Sequence, residues 1–284
     1  MKEPRASQPI VWLNGEFLPL DRAGISPLDR GFQHGDGLFE TLRAEAGRPL
    51  YWRDHVDRLL ASASFLRISM DPSPDWRGLL REILQRNRLT EVPARIKILV
   101  SRGVCEDPGL PRGCSPSLCV LAVPYLPPSP ALYEKGWRLH VAQEGFSSPL
   151  SPHKTLSYLP FWTARQEALD RGADEAVLRD PAGMVTETSA GSILARSAGR
   201  WWTPEARLQL PGITLKQVRR LIEQAGKSVE ARPCPEVELL SADTVWVLNS
   251  MVLVMPVSQI GKRPVANLEL TEAASLREAL LEEK

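Results

Sequence analysis

The chain has 284 residues, and its 35 Lys and Arg residues nearly balance its 34 Asp and Glu residues, which leaves a formal net charge of +1. A balanced charge provides no basic surface for nucleic acid or for an anionic membrane. Hydrophobic residues make up 43% of the chain and charged residues 24%, as in a folded globular protein. The start of the chain lacks the apolar core of a signal peptide, and no apolar stretch approaches membrane-spanning length, so we expect a cytoplasmic protein.

The cysteines and histidines are too scattered to predict a metal site. Cys105, Cys114, Cys119 and Cys234 form no C-x-x-C pair, and the four histidines lie far apart in the sequence. These spacings match no zinc ribbon or finger, so no metal is predicted. In the cytoplasm the thiols are expected to be reduced.

The N-terminal part of the sequence predicts strands and helices in alternation. Asn14-Gly15, between two short apolar runs, is typical of a hairpin turn. Apolar residues recur at helical spacing in two later segments and form short strand-like runs in two others. The predicted elements are a hairpin at 10–18, helices at 55–68 and 76–88, and strands at 94–101 and 117–123.

A proline-rich segment divides the sequence. PYLPPSP, at 124–130, has four prolines in seven residues and favours a stiff extended connector. We predict an N-terminal α/β domain at 1–123, a linker at 124–131 and a C-terminal domain at 132–284, in an α/β or α+β fold. The elements predicted for the C-terminal domain are strands at 137–142, 176–178, 192–195, 244–248 and 251–257, and helices at 159–171 and 214–225.

The predicted helix at 214–225 carries the clearest end signals. Thr214 is predicted as its N-cap, and Gln217 completes a capping-box pattern. A helix start with free amides and a hydroxyl is suited to bind phosphate, especially after a glycine such as Gly212. A helix that is simply well capped would give the same pattern.

Three charged residues are further candidates for chemistry. Lys154 lies in an apolar, aromatic-flanked segment, where a lysine with a lowered pKa can form a Schiff base; a surface lysine in a loop is the alternative. Glu187, in MVTETSAGSI, would be a half-buried carboxylate that pairs with a protonated ring nitrogen, or else a solvated strand charge. Arg58, on the first long helix, is either a phosphate ligand or part of a polar face.

The order of these segments resembles the class IV, fold-type IV, pyridoxal-phosphate enzymes, which include branched-chain aminotransferases, D-amino-acid aminotransferases and aminodeoxychorismate lyase. The similar segments are DRGFQHGDGLFETLR, HVDRL, HKTLSYLPFWTARQEALDRGADEAVL, GMVTETSA, LPGIT and NSMVLVMPV. The resemblance implies a small N-terminal α/β lobe and a larger C-terminal lobe with a pseudo-barrel. It also implies pyridoxal 5′-phosphate as cofactor and a homodimer.

The same resemblance implies a cofactor site. Lys154 resembles the Schiff-base lysine that holds the cofactor and moves the proton, and Glu187 resembles the acid that pairs with the pyridinium nitrogen. The residues that resemble phosphate ligands are Arg58, Ile213, Thr214 and Ser250. Two positions depart from the family pattern, because Ser192 stands where Asn is usual and Leu215 where Arg is usual after G-I-T.

Three functional hypotheses follow from these resemblances. Thr41, in GDGLFET, and Asn249-Ser250 resemble the lyases, and Arg112 lies in a lyase-like loop, where it would bind a substrate carboxylate or simply be exposed. The first hypothesis is therefore a lyase that converts 4-amino-4-deoxychorismate to 4-aminobenzoate and pyruvate. In it, Lys154 and Thr41 are catalytic, and Arg112 and Asn249 bind substrate. The second is an aminotransferase acting on D- or branched-chain amino acids with a 2-oxo acid, and the third is a cofactor-binding homologue without turnover.

Overall fold

The computed structural model describes residues 8–70 and 73–282, so the ends of the predicted domains, 1–7 and 283–284, lie outside the described residues. The chain divides into two compact units. The first runs to Leu126 and also takes in His153–Ser157, and the second comprises Pro127–Pro152 and the chain from Tyr158 onward. The division falls in the segment predicted as the linker. Lys154, placed by sequence in the C-terminal domain, groups with the N-terminal elements.

Within its described residues, the first unit contains one six-stranded sheet and three α-helices. In chain order these are β1 (Ile10–Leu13), β2 (Glu16–Pro19), α1 (Arg30–His34), β3 (Gly37–Glu45), β4 (Arg48–Pro49), α2 (Trp52–Phe65), α3 (Trp76–Arg86), β5 (Ala94–Val104) and β6 (Ser115–Pro124). All neighbouring strands are antiparallel, in the order β2-β1-β6-β5-β3-β4. The predicted hairpin, helices and strands are confirmed, with shifted ends.

The alternation of side chains along β3 gives the sheet two different faces. Leu38 and Leu42 belong to the apolar core that also includes Leu59 of α2 and Ile83 of α3. Phe39, at the intervening position, points to the opposite face. The first face stabilises the unit by apolar burial, and the second is available for chemistry.

Within its described residues, the second unit contains nine strands and five α-helices. In chain order these are α4 (Pro130–Lys135), β7 (Trp137–Val141), α5 (Leu159–Asp170), β8 (Glu175–Arg179), β9 (Val185–Thr188), β10 (Ser192–Ser197), β11 (Arg200–Pro204), α6 (Ile213–Gln224), β12 (Val229–Arg232), α7 (Glu236–Leu240), β13 (Thr244–Asn249), β14 (Leu253–Ile260), β15 (Arg263–Pro264) and α8 (Leu270–Leu281).

The sheet of the second unit is mixed. Its strand order is β12-β11-β10-β13-β14-β7-β8-β9, and β15 pairs with β14. Strand β7 is parallel to both of its neighbours and β11 is parallel to β12, whereas the other pairs are antiparallel. Trp202, Val247 and Met255 are among the buried residues of its core. The predicted α/β (α+β) class is therefore confirmed. None of the helices in the described part of the chain is long and apolar enough to cross a bilayer.

The predicted cap of helix α6 is wrong. The helix begins at Ile213, Gly212 occupies the N-cap position, and no side chain caps it. Thr214 is instead the second helical residue and is buried. Gly212 lies directly against Ser192, because a Cβ atom added to Gly212 would come within 2.2 Å of the Ser192 Oγ. A side chain at position 212 would displace Ser192, and Thr214 lies inside the helix, so the predicted capping box does not form.

The extended conformation predicted for 124–131 is wrong at its end, where α4 begins. Ser129 is the N-cap of this helix, and its Oγ accepts a hydrogen bond from the Leu132 amide. Pro130 is tolerated at the first helical position because the amide hydrogen that it lacks would have no partner there.

Cys105 and Cys114 form a disulfide, with 5.8 Å between their Cα atoms. The expectation of reduced thiols is therefore wrong for this pair, whereas Cys119 and Cys234 are free. Strands β5 and β6 are adjacent and antiparallel, and Val104 pairs with Ser115. The sheet itself thus brings the two ends of the 105–114 loop together.

Candidate active site

Strand β3 fixes the main chain of Lys154. The Lys154 carbonyl accepts a hydrogen bond of 2.8 Å from the Phe39 amide, and the Leu156 amide donates one of 2.9 Å to the Gly37 carbonyl. The Lys154 Nζ lies 4.4 Å from the centre of the Phe39 ring, within the range of a cation–π contact. The half-buried amine is therefore turned toward the face of the sheet that carries Phe39.

A buried ion pair joins α2 to β3. The Nε and Nη2 atoms of Arg58 each donate a hydrogen bond of 2.8 Å to the Glu40 carboxylate. The Nδ1 atom of His55 lies 2.7 Å from Glu40 Oε2. Burial alone would raise the pKa of Glu40, but the Arg58 charge and the hydrogen bonds from Arg58 and His55 outweigh it and hold this pKa at about 2. Glu40 is therefore ionised at neutral pH and orients the guanidinium of Arg58.

Thr41 and Lys97 lie beside Phe39 on the same face of the sheet. Thr41 follows Phe39 by two residues and is paired in register with Lys97 of β5. The Lys97 Nζ lies 5.0 Å from the centre of the Phe39 ring, so two amines contact this ring. Burial, followed by the nearby charge of Arg95, lowers the pKa of Lys97. Within the described chain no carboxylate pairs with Lys97, and this face is suited to a negatively charged group.

The start of helix α6 presents hydrogen-bond donors without partners. Among the described residues, the amides of Ile213, Thr214 and Leu215 and the Thr214 hydroxyl have no acceptor. The first helical hydrogen bond is donated by the Lys216 amide to the Gly212 carbonyl. Unpaired amides at a helix start attract anions, and phosphate above all. The prediction of a phosphate site here thus keeps its physical basis, although the cap on which it was argued is wrong.

Glu187 lies in β9 and is buried. The Tyr158 hydroxyl donates a hydrogen bond of 2.6 Å to the Ser189 carbonyl, two residues beyond it. Burial, and then the charges of Glu187 and Glu175, raise the pKa of Tyr158. Burial also raises the pKa of Glu175, against the opposing charge of Arg165 and a hydrogen bond from Ser189. A buried carboxylate such as Glu187 would stabilise a protonated ring nitrogen.

The turn between β13 and β14 contains Asn249 and Ser250. The Oδ1 atom of Asn249 accepts hydrogen bonds of 2.9 Å from the Met251 and Val252 amides, which closes the turn. The side-chain oxygen of Asn249 is therefore committed to the turn. Its Nδ2 group has no partner in the described chain and is the part that can bind a ligand.

Arg112 lies in the 105–114 loop, which two arginines hold at its base. Arg102 donates to the Pro111 carbonyl, and Arg30 donates to two further carbonyls of the loop. Both arginines also bind the Asp36 carboxylate. Arg112 itself is exposed. In the described parts of the chain it makes no hydrogen bond or ion pair.

Taken unit by unit, the structure groups most of the predicted site residues. In the first unit, Lys154 and Thr41 share one face of β3, and Arg58 contacts the same strand from α2 through Glu40. In the second unit, Ile213 and Thr214 begin α6, which packs against β10 and β13. The other residues of that unit are Glu187, in β9, and Asn249 and Ser250, at the end of β13.

Glu40 and His55 were not predicted from the sequence. A signal for Glu40 is present in the sequence, because it stands between Leu38 and Leu42 in a segment that is typical of a strand. Strand alternation puts all three on one face, and a carboxylate on an apolar face needs cationic partners. His55 carries no such signal, since a histidine at the start of a helix is usually solvated.

The sequence is similar to known proteins along most of its length. It matches the amino-transferase class IV family over residues 37–260. A protein of Methanocaldococcus jannaschii assigned as a branched-chain-amino-acid aminotransferase is 33% identical over 269 residues, which cover 92% of this chain and 91% of that protein. The aminodeoxychorismate lyase of Vibrio harveyi is 31% identical over 256 residues, with coverage of 88% and 91%.

This chain belongs to the class IV aminotransferase family. Its fold matches that of the T.th. branched-chain amino acid aminotransferase complexed with N-(5′-phosphopyridoxyl)-L-glutamate. The TM-score is 0.85 at 28% identity, and the match covers 97% of this chain and 93% of that one. The same aminotransferase with pyridoxamine 5′-phosphate gives a TM-score of 0.87 at 27% identity, with the same coverage of both chains. Class IV aminotransferases are enzymes that bind pyridoxal 5′-phosphate, and the family predicted from the sequence is confirmed.

The residues of this chain fit that cofactor. The donors at the start of α6 have no internal acceptor among the described residues, which suits a phosphate group. Position 212, directly before these donors, is a glycine against which Ser192 packs closely. The second unit contains a buried carboxylate, Glu187, of the kind that pairs with a protonated ring nitrogen, and the first unit contains an amine over an aromatic ring, Lys154, of the kind that reacts with an aldehyde.

Proposed function

We propose that this enzyme is a lyase that converts 4-amino-4-deoxychorismate to 4-aminobenzoate and pyruvate, a step toward folate. The observation that carries the proposal is that Thr41 shares a face of β3 with Phe39, over which the Lys154 amine lies. A threonine at this position is a feature of the lyases that the sequence resembles. The 31% identity with the Vibrio harveyi lyase supports the same interpretation.

We infer the cofactor ligands from the residues described above. When bound, pyridoxal 5′-phosphate supplies an electron sink that stabilises negative charge on the substrate. Lys154 would bind its aldehyde carbon through Nζ, and Glu187 would keep its ring nitrogen protonated. The phosphate would be bound by the Arg58 guanidinium and by the amide and hydroxyl donors of three residues, Ile213, Thr214 and Ser250.

In the proposed reaction Lys154 carries out both proton transfers. Its Nζ would take the proton from C4 of the substrate ring and return one to the methylene carbon of the departing enolpyruvyl group. The Thr41 hydroxyl would assist as a nearby hydrogen-bonding group. Arg112 and the Nδ2 group of Asn249 would bind the substrate. Since Lys97 has no carboxylate partner in the described chain, its position supports a substrate that carries carboxylates.

A second candidate function is a class IV aminotransferase acting on D- or branched-chain amino acids with a 2-oxo acid. It is supported by the 33% identity with the Methanocaldococcus jannaschii protein and by the likeness to the T.th. aminotransferase structures. Lys154 and Glu187 would have the same roles in it. The two reactions differ in where Lys154 delivers its proton.

One assay distinguishes the candidates. Purified protein with bound cofactor is incubated with 4-amino-4-deoxychorismate and no 2-oxo acid, and 4-aminobenzoate and pyruvate are measured. The proposal predicts both products in equal amounts. Exchange of amino groups between amino acids and 2-oxo acids, without 4-aminobenzoate, would replace it with the aminotransferase. Cofactor binding with neither reaction would support a homologue without turnover, as the departures at Ser192 and Leu215 allow.

We further propose that the enzyme works as a homodimer in the cytoplasm, as the resemblance to the family implies. Sedimentation equilibrium of the purified protein tests the assembly. A mass of twice the chain mass is expected, and the mass of one chain over the working concentration range would contradict it.

A further inference from the structure

His153, directly before Lys154, has no part in the proposed chemistry, yet helix α2 holds its side chain by two contacts. Its Nδ1 atom lies 3.0 Å from the Ser62 Oγ. Its ring stacks on Phe65, with 4.1 Å between the ring centres and 24° between the planes. Ser62 is buried, whereas Phe65 is 55% exposed. The imidazole therefore covers part of an aromatic ring that otherwise faces solvent.

The residues that hold His153 share a helix face with Arg58. Ser62 and Phe65 follow Arg58 by four and seven positions, a spacing that places all three on one side of a helix. Arg58 in turn binds Glu40 in β3, next to the ring on which the Lys154 amine lies. Helix α2 is thus linked to the lysine through β3 and, independently, through the preceding histidine.

The two links act on opposite sides of the Lys154 main chain. On the C-terminal side, the Lys154 carbonyl accepts a hydrogen bond from the Phe39 amide, and the Leu156 amide donates one to the Gly37 carbonyl. On the N-terminal side, the His153 side chain makes the contacts with α2. These contacts restrain the peptide before Lys154 against α2.

We propose that His153 is a positioning residue, which fixes the Lys154 main chain against helix α2 through Ser62 and Phe65 and so aligns the lysine amine for proton transfer. This rests on the proposed function of Lys154. Burial lowers the pKa of His153, which favours the neutral imidazole. Alignment matters because a displacement of about 1 Å at a reacting group costs on the order of 10²-fold in rate.

Four variants separate the contacts. His153→Ala removes both contacts. His153→Asn keeps a polar atom near the Nδ1 position, and His153→Phe keeps the ring stacking on Phe65. Ser62→Ala removes the partner hydroxyl from the other side. For each variant kcat and KM are measured, together with the pH at which the absorption band of the bound cofactor titrates and the melting temperature of the protein.

The proposal expects His153→Ala to lower kcat by about 10- to 100-fold, with KM within about threefold and a shifted absorption titration. His153→Asn recovers part of kcat. The losses of kcat in Ser62→Ala and His153→Phe should not add when the two substitutions are combined, because both remove the same hydrogen bond. Unchanged kcat and titration in His153→Ala would overturn the proposal. So would a loss of kcat that merely follows the melting temperature and that Asn does not recover.

A separate measurement tests the role of His153 in case the proposed function is wrong. If wild-type protein does not hold the cofactor on Lys154, that function fails. His153 is then tested in cofactor-free protein by the rate at which trinitrobenzenesulfonate labels Lys154. The positioning role is supported if His153→Ala changes the rate of Lys154 labelling and its pH dependence, while Lys97 is labelled as in wild type. An unchanged rate at Lys154 overturns it.

Discussion

Arg58 of α2 and Glu40 of β3 form a bidentate ion pair in which both nitrogen–oxygen distances are 2.8 Å and the carboxylate side chain is 1% exposed. His55 adds a third hydrogen bond to the same carboxylate. The strand that carries Glu40 also carries Phe39 and Thr41, which lie on its other face. The pair therefore connects the apolar core of the first unit to the surface on which Lys154 lies.

Glu40→Gln should lower the free energy of unfolding at pH 7 by about 3–5 kcal/mol, because it removes the buried negative charge that pairs with the Arg58 guanidinium. Urea unfolding measures the change. The matched control is Glu82→Gln on α3, whose ion pair with Arg86 is about half exposed and should contribute less than about 1 kcal/mol. Equal losses in both variants would contradict the account.

The Glu40 carboxylate also makes the free energy of unfolding depend on pH. Its pKa is lowered from 4.5 to about 2, so below pH 4.5 the unfolded chain binds a proton more readily than the folded one. The contribution of Glu40, on the order of 3 kcal/mol, is complete above pH 4.5 and is lost as the pH falls toward 2. Glu40→Gln should remove this part of the acid-induced loss, which urea titrations at several pH values would detect. If the free energy of unfolding of Glu40→Gln falls with pH in parallel with that of wild type, the prediction is wrong.

Gly212→Ala should weaken cofactor binding, because the added Cβ would lie within 2.2 Å of the Ser192 Oγ. Ser192→Ala removes that oxygen, and the remaining Cβ of residue 192 lies 3.4 Å away, an ordinary contact. The double variant should therefore recover most of the affinity lost by Gly212→Ala. The cofactor affinity of the two single variants and of the double variant is measured by titration of cofactor fluorescence. Additive losses would show that the clash is not the cause.

Thr41→Val keeps the branched shape of the side chain and removes its hydroxyl. We expect a fall in lyase kcat of about 10²-fold, with the cofactor still bound, since the hydroxyl is proposed to act in proton transfer. Thr163→Val, on the exposed side of α5, is the control and should leave kcat unchanged. Full activity of Thr41→Val would remove the main support for the lyase over the aminotransferase.

Cys105→Ser should lower the free energy of unfolding of the oxidised protein by about 2–3 kcal/mol, because it opens the loop that the disulfide closes. Dithiothreitol should reproduce the loss in wild type and have little effect on the variant. Cys119→Ser, at a free cysteine, is the control. Four reactive thiols in unreduced, denatured wild-type protein would contradict the disulfide.

The sequence predicted the features that local patterns encode. The hairpin at Asn14-Gly15 and the helix after Gly212 follow from turn chemistry and apolar spacing, and the structure contains both. It could not predict contacts between distant segments. The cap of α6 depends on Ser192, twenty residues earlier, and the disulfide depends on the pairing of β5 with β6. The attachment of residues 153–157 to β3 is equally non-local, since it joins positions more than a hundred residues apart.

The most direct test of the central claim is to identify the amine that holds the cofactor. Protein incubated with pyridoxal 5′-phosphate is reduced with sodium borohydride and digested, and the labelled peptide is identified by mass spectrometry. Lys97 is the internal comparison, because its amine contacts the same Phe39 ring. The label is expected on Lys154, and it should be retained in Lys97→Gln and absent in Lys154→Ala. A label on Lys97, or no label at all, would contradict it.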